Sequence, residues 1–239
     1  MSLVLKRDLA PPSEGLAAHI QEILPRARCR FSVTRRDREM LQALTQKVRL
    51  FSLRQIATHW WRGELANARR RLRQLTAAGL VARLTVAARP LPPIVRPLVV
   101  WKPDQVQPAF GELAQRLAGR WRRQPARATS VYVATARAAQ HFGGHSRGSL
   151  QQPTQAGHDL GVAAIWLRIL KEAPDWADNW QSEDQLPHAC SGEKVPDALL
   201  VGDNAQVLWV VEFGGSYDSR RLREFHQHWA GQNLPYQIW

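Results

Sequence analysis

Cysteine is nearly missing: Cys29 and Cys190 are the two in 239 residues. They lie far apart and form no CxxC-type pair, which argues against a structural zinc site or a disulfide framework and fits a reducing cytoplasm. Long apolar runs are missing too. No stretch approaches the roughly 20 residues that cross a bilayer. The opening segment, MSLVLKRDLAPPSEG, has only a four-residue apolar run. It is too short and too charged for a signal peptide or an anchor. No basic amphipathic helix lies beside an apolar face, so a cytoplasmic protein with no membrane partner is expected. Acidic residues are scarce in one part of the chain only. Residues 1–150 hold 27 Lys and Arg against 8 Asp and Glu, a net of +19, whereas residues 151–239 hold 6 against 12, a net of −6. Such asymmetry implies two modules with different partners. Most of the positive charge is arginine, which suits bidentate contacts to phosphate and guanine.

What is present falls into segments. Residues 1–30 read as an arm, broken at Pro11-Pro12, with Ser13 able to cap a short helix. Thr34, with Asp37 three residues on, reads as the N-cap of a helix carrying Met40, Leu41 and Leu44. After an extended link, Ser52 caps a second helix. A turn at Gly63 leads to a third, over residues 64–78, closed by Gly79. Residues 80–86 read as a strand, and residues 94–101 as the strand returning beside it, with Pro97 suggesting an edge. Three helices and a β-hairpin are the winged helix-turn-helix order. Phe110, Leu113, Leu117 and Trp121 then have helical spacing, with Arg120, Arg122 and Arg123 near the end. Residues 131–133 read as a strand, and Thr135 caps a helix ending at Gly143. The expected division is an arm (1–30), a winged-helix domain with a helical extension (31–143), a polar linker (144–157) and a small α/β domain (158–239), an α+β protein in all. Within the last part, a helix over 158–170, a loop over 174–187, strands over 196–201 and 206–213, a helix over 218–229 and a strand over 236–239 are expected.

On a wheel of 100° per residue, Leu65, Ala68, Leu72 and Leu75 of the third helix share one face. Arg70 and Gln74 point the opposite way, with Asn67 and Arg73 to either side. Arginine suits guanine, and Asn or Gln suits adenine, so these side chains are candidates for base edges in the major groove. Arg69 and Arg71, on the flanks, are candidates for phosphates. Arg83, Arg89 and Arg96 lie on or near the wing, within reach of backbone or minor groove. Trp60 and Trp61 read as packing residues. The partner implied is double-stranded DNA.

One constellation in the acidic part can carry chemistry: Pro196-Asp197, fourteen residues, then Glu212-Phe213-Gly214. Two carboxylates on adjacent strands can hold Mg²⁺ or Mn²⁺, which polarises a phosphodiester and activates water. The arrangement resembles the restriction-endonuclease-like fold with its PD…(D/E)xK motif. Asp197 and Glu212 match the two acids, and His158 or Asp159 stands where such nucleases add a polar ligand. The motif's lysine position is Gly214, however. Arg220 or Arg221 can replace only its charge, and Lys194 points to the other face. The plainer alternative is that Asp197 begins a strand and Glu212 pairs with an arginine.

A basic winged helix followed by HDLGVAAIWLRIL, PDALLV and VLWVVEFGG resembles the replication-relaxation family of plasmids and integrative elements, over about residues 34–239. The resemblance implies a DNA-binding role in replication, mobilisation or maintenance of mobile DNA. It also implies that His158, Asp197 and Glu212 are the recurring polar set, and it carries no activity with it. The expectation is a duplex-DNA-binding protein with a degenerate nuclease-like domain that binds a mobile-element partner or a second copy. The alternatives are a metal-dependent DNA endonuclease and a repressor whose C-terminal domain dimerises it.

Overall fold

The computed structural model describes residues 31–121, 125–146, 150, 155–186 and 195–239. The arm, both cysteines, Arg122, Arg123, Lys194 and half of the linker lie outside these residues. Residues 34–239 form one compact unit. The unit is mixed α+β with two sheets.

Helix α1 (Arg35–Gln46) begins at a capping box. The Thr34 hydroxyl accepts from the Asp37 N–H, and the Asp37 carboxylate accepts from the Thr34 N–H at 2.8 Å. Its buried face is Met40, Leu41, Ala43 and Leu44. Strand β1 (Phe51–Ser52) leads into α2 (Leu53–Trp60), opened by a second box between Ser52 and Gln55. Gly63 turns the chain at φ +87° into α3 (Leu65–Ala77). That helix stops at Gly79, φ +70°, where the Gly79 and Leu80 N–H groups donate back to Thr76 and Leu75. This is the Schellman pattern that a left-handed glycine permits.

Strand β2 (Val81–Ala88) then pairs antiparallel with β4 (Arg127–Ala134), from Val81 opposite Ala134 to Ala88 opposite Arg127. Strand β1 pairs on the other side of β4, so the first sheet runs β1-β4-β2. Helix α5 (Ala136–Phe142) follows, capped by Thr135. The hairpin expected between residues 80–86 and 94–101 does not form. Strand β3 (Val99–Trp101) pairs instead with β8 (Tyr236–Ile238) at the edge of the second sheet. Helix α4 (Phe110–Trp121) goes with it. Its Phe110, Leu113 and Leu117 share one core with Trp101, Val210, Leu222, Phe225, Trp229 and Tyr236. Residues 89–121 thus leave the first sheet between its two long strands, and β3 and α4 pack with the second sheet. The division at 144–157 does not match this packing, because both sheets draw on residues that precede it.

The second sheet reads β3-β8-β7-β6-β5. Its strands come in the order α6 (Ala156–Glu172), α7 (Pro174–Asp178), β5 (Trp180–Ser182), β6 (Ala198–Val201), β7 (Val207–Glu212), α8 (Ser219–Gly231) and β8. The segment 174–187, expected as a loop, contains α7, β5 and a 3₁₀ turn at Glu183–Gln185. Strands β5, β6 and β7 are antiparallel neighbours, and α8 crosses over to place β8 parallel to β7. Helix α6 joins the two sheets. Ala156 and Leu160 pack on Leu50, Val86, Val131 and Val133 of the first. Gly161 meets Phe213, at the end of β7, so closely that a Cβ there would stand 2.3 Å from the ring. No described helix is long and apolar enough to cross a membrane.

Candidate functional site

The outer face of α3 is built by subtraction. Ala68, Leu72 and Leu75 are fully buried, and the helix packs on α2 and β2. Leu65, expected on that face, is 42 % exposed, because it opens the helix before the packed turns begin. Asn67, Arg69, Arg70, Arg73 and Gln74 are exposed. Arg70 donates to the Asn67 side chain at 3.0 Å. These five form one polar, cationic surface as expected.

Arg71 differs. Its guanidinium donates to Asp37 of α1 through Nε at 3.1 Å and Nη2 at 2.6 Å, and to Gln74 through Nη1 at 2.8 Å. The Asp37 side chain is 1 % exposed. Burial alone would raise its pKa, but hydrogen bonds from Arg71 and Thr34 outweigh that and hold the carboxyl below its usual range. Arg71 is therefore a tie between α1 and α3, and its fork is spent on a carboxylate rather than presented to a phosphate. An acid at the third position of a helix opening with arginines was the only sequence signal for this tie.

Around the tie lies a concave groove of about 890 Å³ between the first turn of α1, the end of α2 and α3. Trp60 and Trp61 line its base and are nearly buried, as packing residues should be. Of the wing arginines, Arg83 is exposed on β2 and donates to Ser130 of β4 at 2.9 Å. Arg89 and Arg96 are exposed in the segment between β2 and β3. They stand on the connection to the second sheet and not on a hairpin tip.

The second constellation does assemble. Ala198 stands opposite Val211, which sets Asp197 beside Glu212 at one end of the β6–β7 pair. The Phe213 N–H donates to Asp197 Oδ2 at 2.6 Å, and the Asp197 N–H donates to Glu212 Oε2 at 3.2 Å. His158 Nε2, on α6, lies 3.4 Å from Asp197 Oδ1. The Tyr217 hydroxyl binds Glu212 Oε1. Tyr217 was not foreseen; the Gly214-Gly215 turn carries it back over β7. Asp197 and Glu212 are 9 % and 4 % exposed. Burial pushes both carboxyls well above their ordinary range, and the Asp197 charge adds to the rise at Glu212.

This geometry does not fit a divalent ion. Each of the four carboxylate oxygens already faces a protein partner, and among the described residues no three His, Cys, Asp or Glu side chains converge into a metal-holding group. The neighbouring Asp159 pairs with Arg49, whose guanidinium lies 3.5 Å from it, 2.7 Å from Glu183 and 2.8 Å from Asp184. Arg49 sits in the link between α1 and β1, so nothing in the acidic segment pointed to it. Lys47 in the same link donates to the Asp178 and Trp180 carbonyls. Gly214, in the lysine position of the motif, is closed off. A Cβ there would stand 2.9 Å from both Leu117 and Ile238. Arg221 stacks on Tyr217 at 4.1 Å, and Arg220 is exposed on the next helix. No family model, curated protein or solved structure matches the chain.

Proposed function

We propose that the protein binds duplex DNA with sequence preference, laying α3 in the major groove, and that its second sheet is catalytically silent. The observation that carries this is the exposed set Asn67, Arg69, Arg70, Arg73 and Gln74 on a helix whose opposite face is buried. An α-helix fits the major groove, and these side chains match base-edge donors and acceptors. The β2–β4 pair next to α3 supports a winged-helix reading in which the long insertion replaces a tight wing tip. The +19 balance of residues 1–150 supplies the attraction to phosphate. A role in mobile DNA, as in the replication-relaxation family, rests on the sequence resemblance.

The succession α6-β5-β6-β7-α8-β8, with Asp197 and Glu212 side by side, favours a nuclease-like ancestry for the second sheet. Silence follows from chemistry. Cleavage needs an activated water and a stabilised pentavalent phosphate. Here the carboxylates hold the backbone and Tyr217 instead, and the lysine position holds no side chain. The test is selection from a random duplex library, followed by incubation of the selected duplex with Mg²⁺ or Mn²⁺. Enrichment of one motif without strand cleavage is expected. An unenriched library removes the sequence-preferring reading. Cleavage lost in both Asp197→Ala and Glu212→Ala replaces the silent domain with an endonuclease.

A further inference from the structure

The groove beside α3 has a second basic wall that the recognition-helix reading leaves unused. Its charged lining is Arg35, Arg36, Asp37 and Glu39 from α1, with Arg70 and Arg71 from α3. The two acids are already matched. Asp37 is held by Arg71, and Glu39 by Arg35 at 3.0 Å. What remains is Arg36 on one wall and Arg70 on the other. Arg36 is exposed, yet it is not a loose surface side chain. Its guanidinium lies 5.1 Å from the centroid of the nearly buried Trp61 ring, across the start of the α2–α3 turn. A cation over a tryptophan face is attracted by the ring and loses less entropy when it captures an anion.

We propose that Arg36 is a phosphate anchor, seated on Trp61, that grips the DNA strand flanking the groove occupied by α3. The proposal rests on the DNA-binding reading above and adds to it a residue with a different task. A helix about 10 Å across nearly fills a major groove about 12 Å wide. The chain segment standing beside that helix therefore meets sugar-phosphate rather than base edges. The first turn of α1 is that segment, and the Asp37–Arg71 tie fixes its distance from α3. Phosphate contacts set register and carry no sequence information, whereas Arg70 on the other wall faces the bases. A guanidinium is itself a planar fork, which matches two phosphate oxygens.

The experiment is fluorescence anisotropy on two duplexes, one preferred and one unrelated, over a salt series, with wild type, Arg36→Ala, Arg36→Lys and Arg70→Ala. Arg36→Ala is expected to weaken binding several-fold, equally on both duplexes, and to lower the log–log salt slope by about 0.9. Arg36→Lys should keep that slope and recover part of the affinity. Arg70→Ala should instead erode the difference between the duplexes. Unchanged affinity and slope in Arg36→Ala, while Arg70→Ala loses preference, overturns the anchor and leaves the DNA-binding reading standing. A changed preference in Arg36→Ala assigns it to base reading and also overturns the anchor. No duplex binding by wild type overturns both, as does tighter binding of a polyglutamate peptide of equal charge, which makes the groove an acidic-protein site.

Discussion

Raising the pH should loosen this protein through one pair of side chains. Asp197 and Glu212 are both raised by burial to about 8, from ordinary values near 4. In the unfolded chain they release their protons near pH 4, whereas the folded chain keeps them longer. The folded state therefore binds more protons between about pH 4 and 8. Stability from this source is fully present below the unfolded values and is lost as pH rises through the folded ones. One retained proton is worth about 1.4 kcal/mol per pH unit. Between pH 5 and 7 that is about 3 kcal/mol, and two independent protons would double it. For a unit of this size each kcal/mol moves Tm by about 2–4 °C, so one proton corresponds to about 6–12 °C. Other groups titrate as well. Asp159 is raised by burial and acts in the same sense, while His59 and His226, lowered by burial, act in the opposite one. The difference between wild type and the Asp197→Asn/Glu212→Gln double variant isolates the pair. Amides keep acceptors for the Phe213 and Asp197 N–H groups without a charge to bury. Thermal unfolding followed by circular dichroism at half-unit pH steps reads the result. The variant should lose less than wild type between pH 5 and 7. Parallel profiles would refute the buried, proton-holding pair.

Three further outcomes follow from the packing. Arg71→Ala leaves Asp37 buried without its cation, and with 20 % of the arginine side chain open to solvent a loss of about 2–4 kcal/mol is expected in urea unfolding; a change under 0.5 kcal/mol would remove the α1–α3 tie. Gly214→Lys should lower Tm sharply, because a side chain must displace Leu117 and Ile238; a stable variant that cleaves DNA with Mg²⁺ would show that the position is open after all. A fragment of residues 31–144 should aggregate, since Trp101, Phe110, Leu113 and Leu117 lose the strands and helix that bury them, and a monomeric fragment with native-like circular dichroism would contradict the shared core.

Local chemistry made much of the fold legible. The box at Thr34–Asp37, the caps at Ser52 and Thr135 and the stop at Gly79 all act within a few residues, and each appears where the sequence predicts it. The β6–β7 pair was legible for the same reason, since residues 202–204 turn the chain between two strands that remain neighbours. Long-range pairing was not. Strand β3 is three residues of Val and Trp that suit any sheet edge, and nothing in it specifies β8 over β2. The amphipathic face of α4 announced burial without naming the surface that buries it. At the candidate site, charge and spacing identified Asp197, Glu212 and the outer face of α3. The same reasoning misassigned Arg71, because a helical wheel cannot show a carboxylate arriving from another helix. Arg49 and Tyr217 reach the acidic centre only through tertiary folding.

The central claim is that the exposed face of α3 binds duplex DNA, and an anisotropy titration of wild type against Arg70→Ala on a selected duplex tests it most directly. Binding that weakens by about 0.9 log unit per phosphate contact per tenfold rise in salt is expected, with a loss of about 1–3 kcal/mol in the folded variant. Flat salt dependence, or equal affinities for wild type and Arg70→Ala, would contradict it.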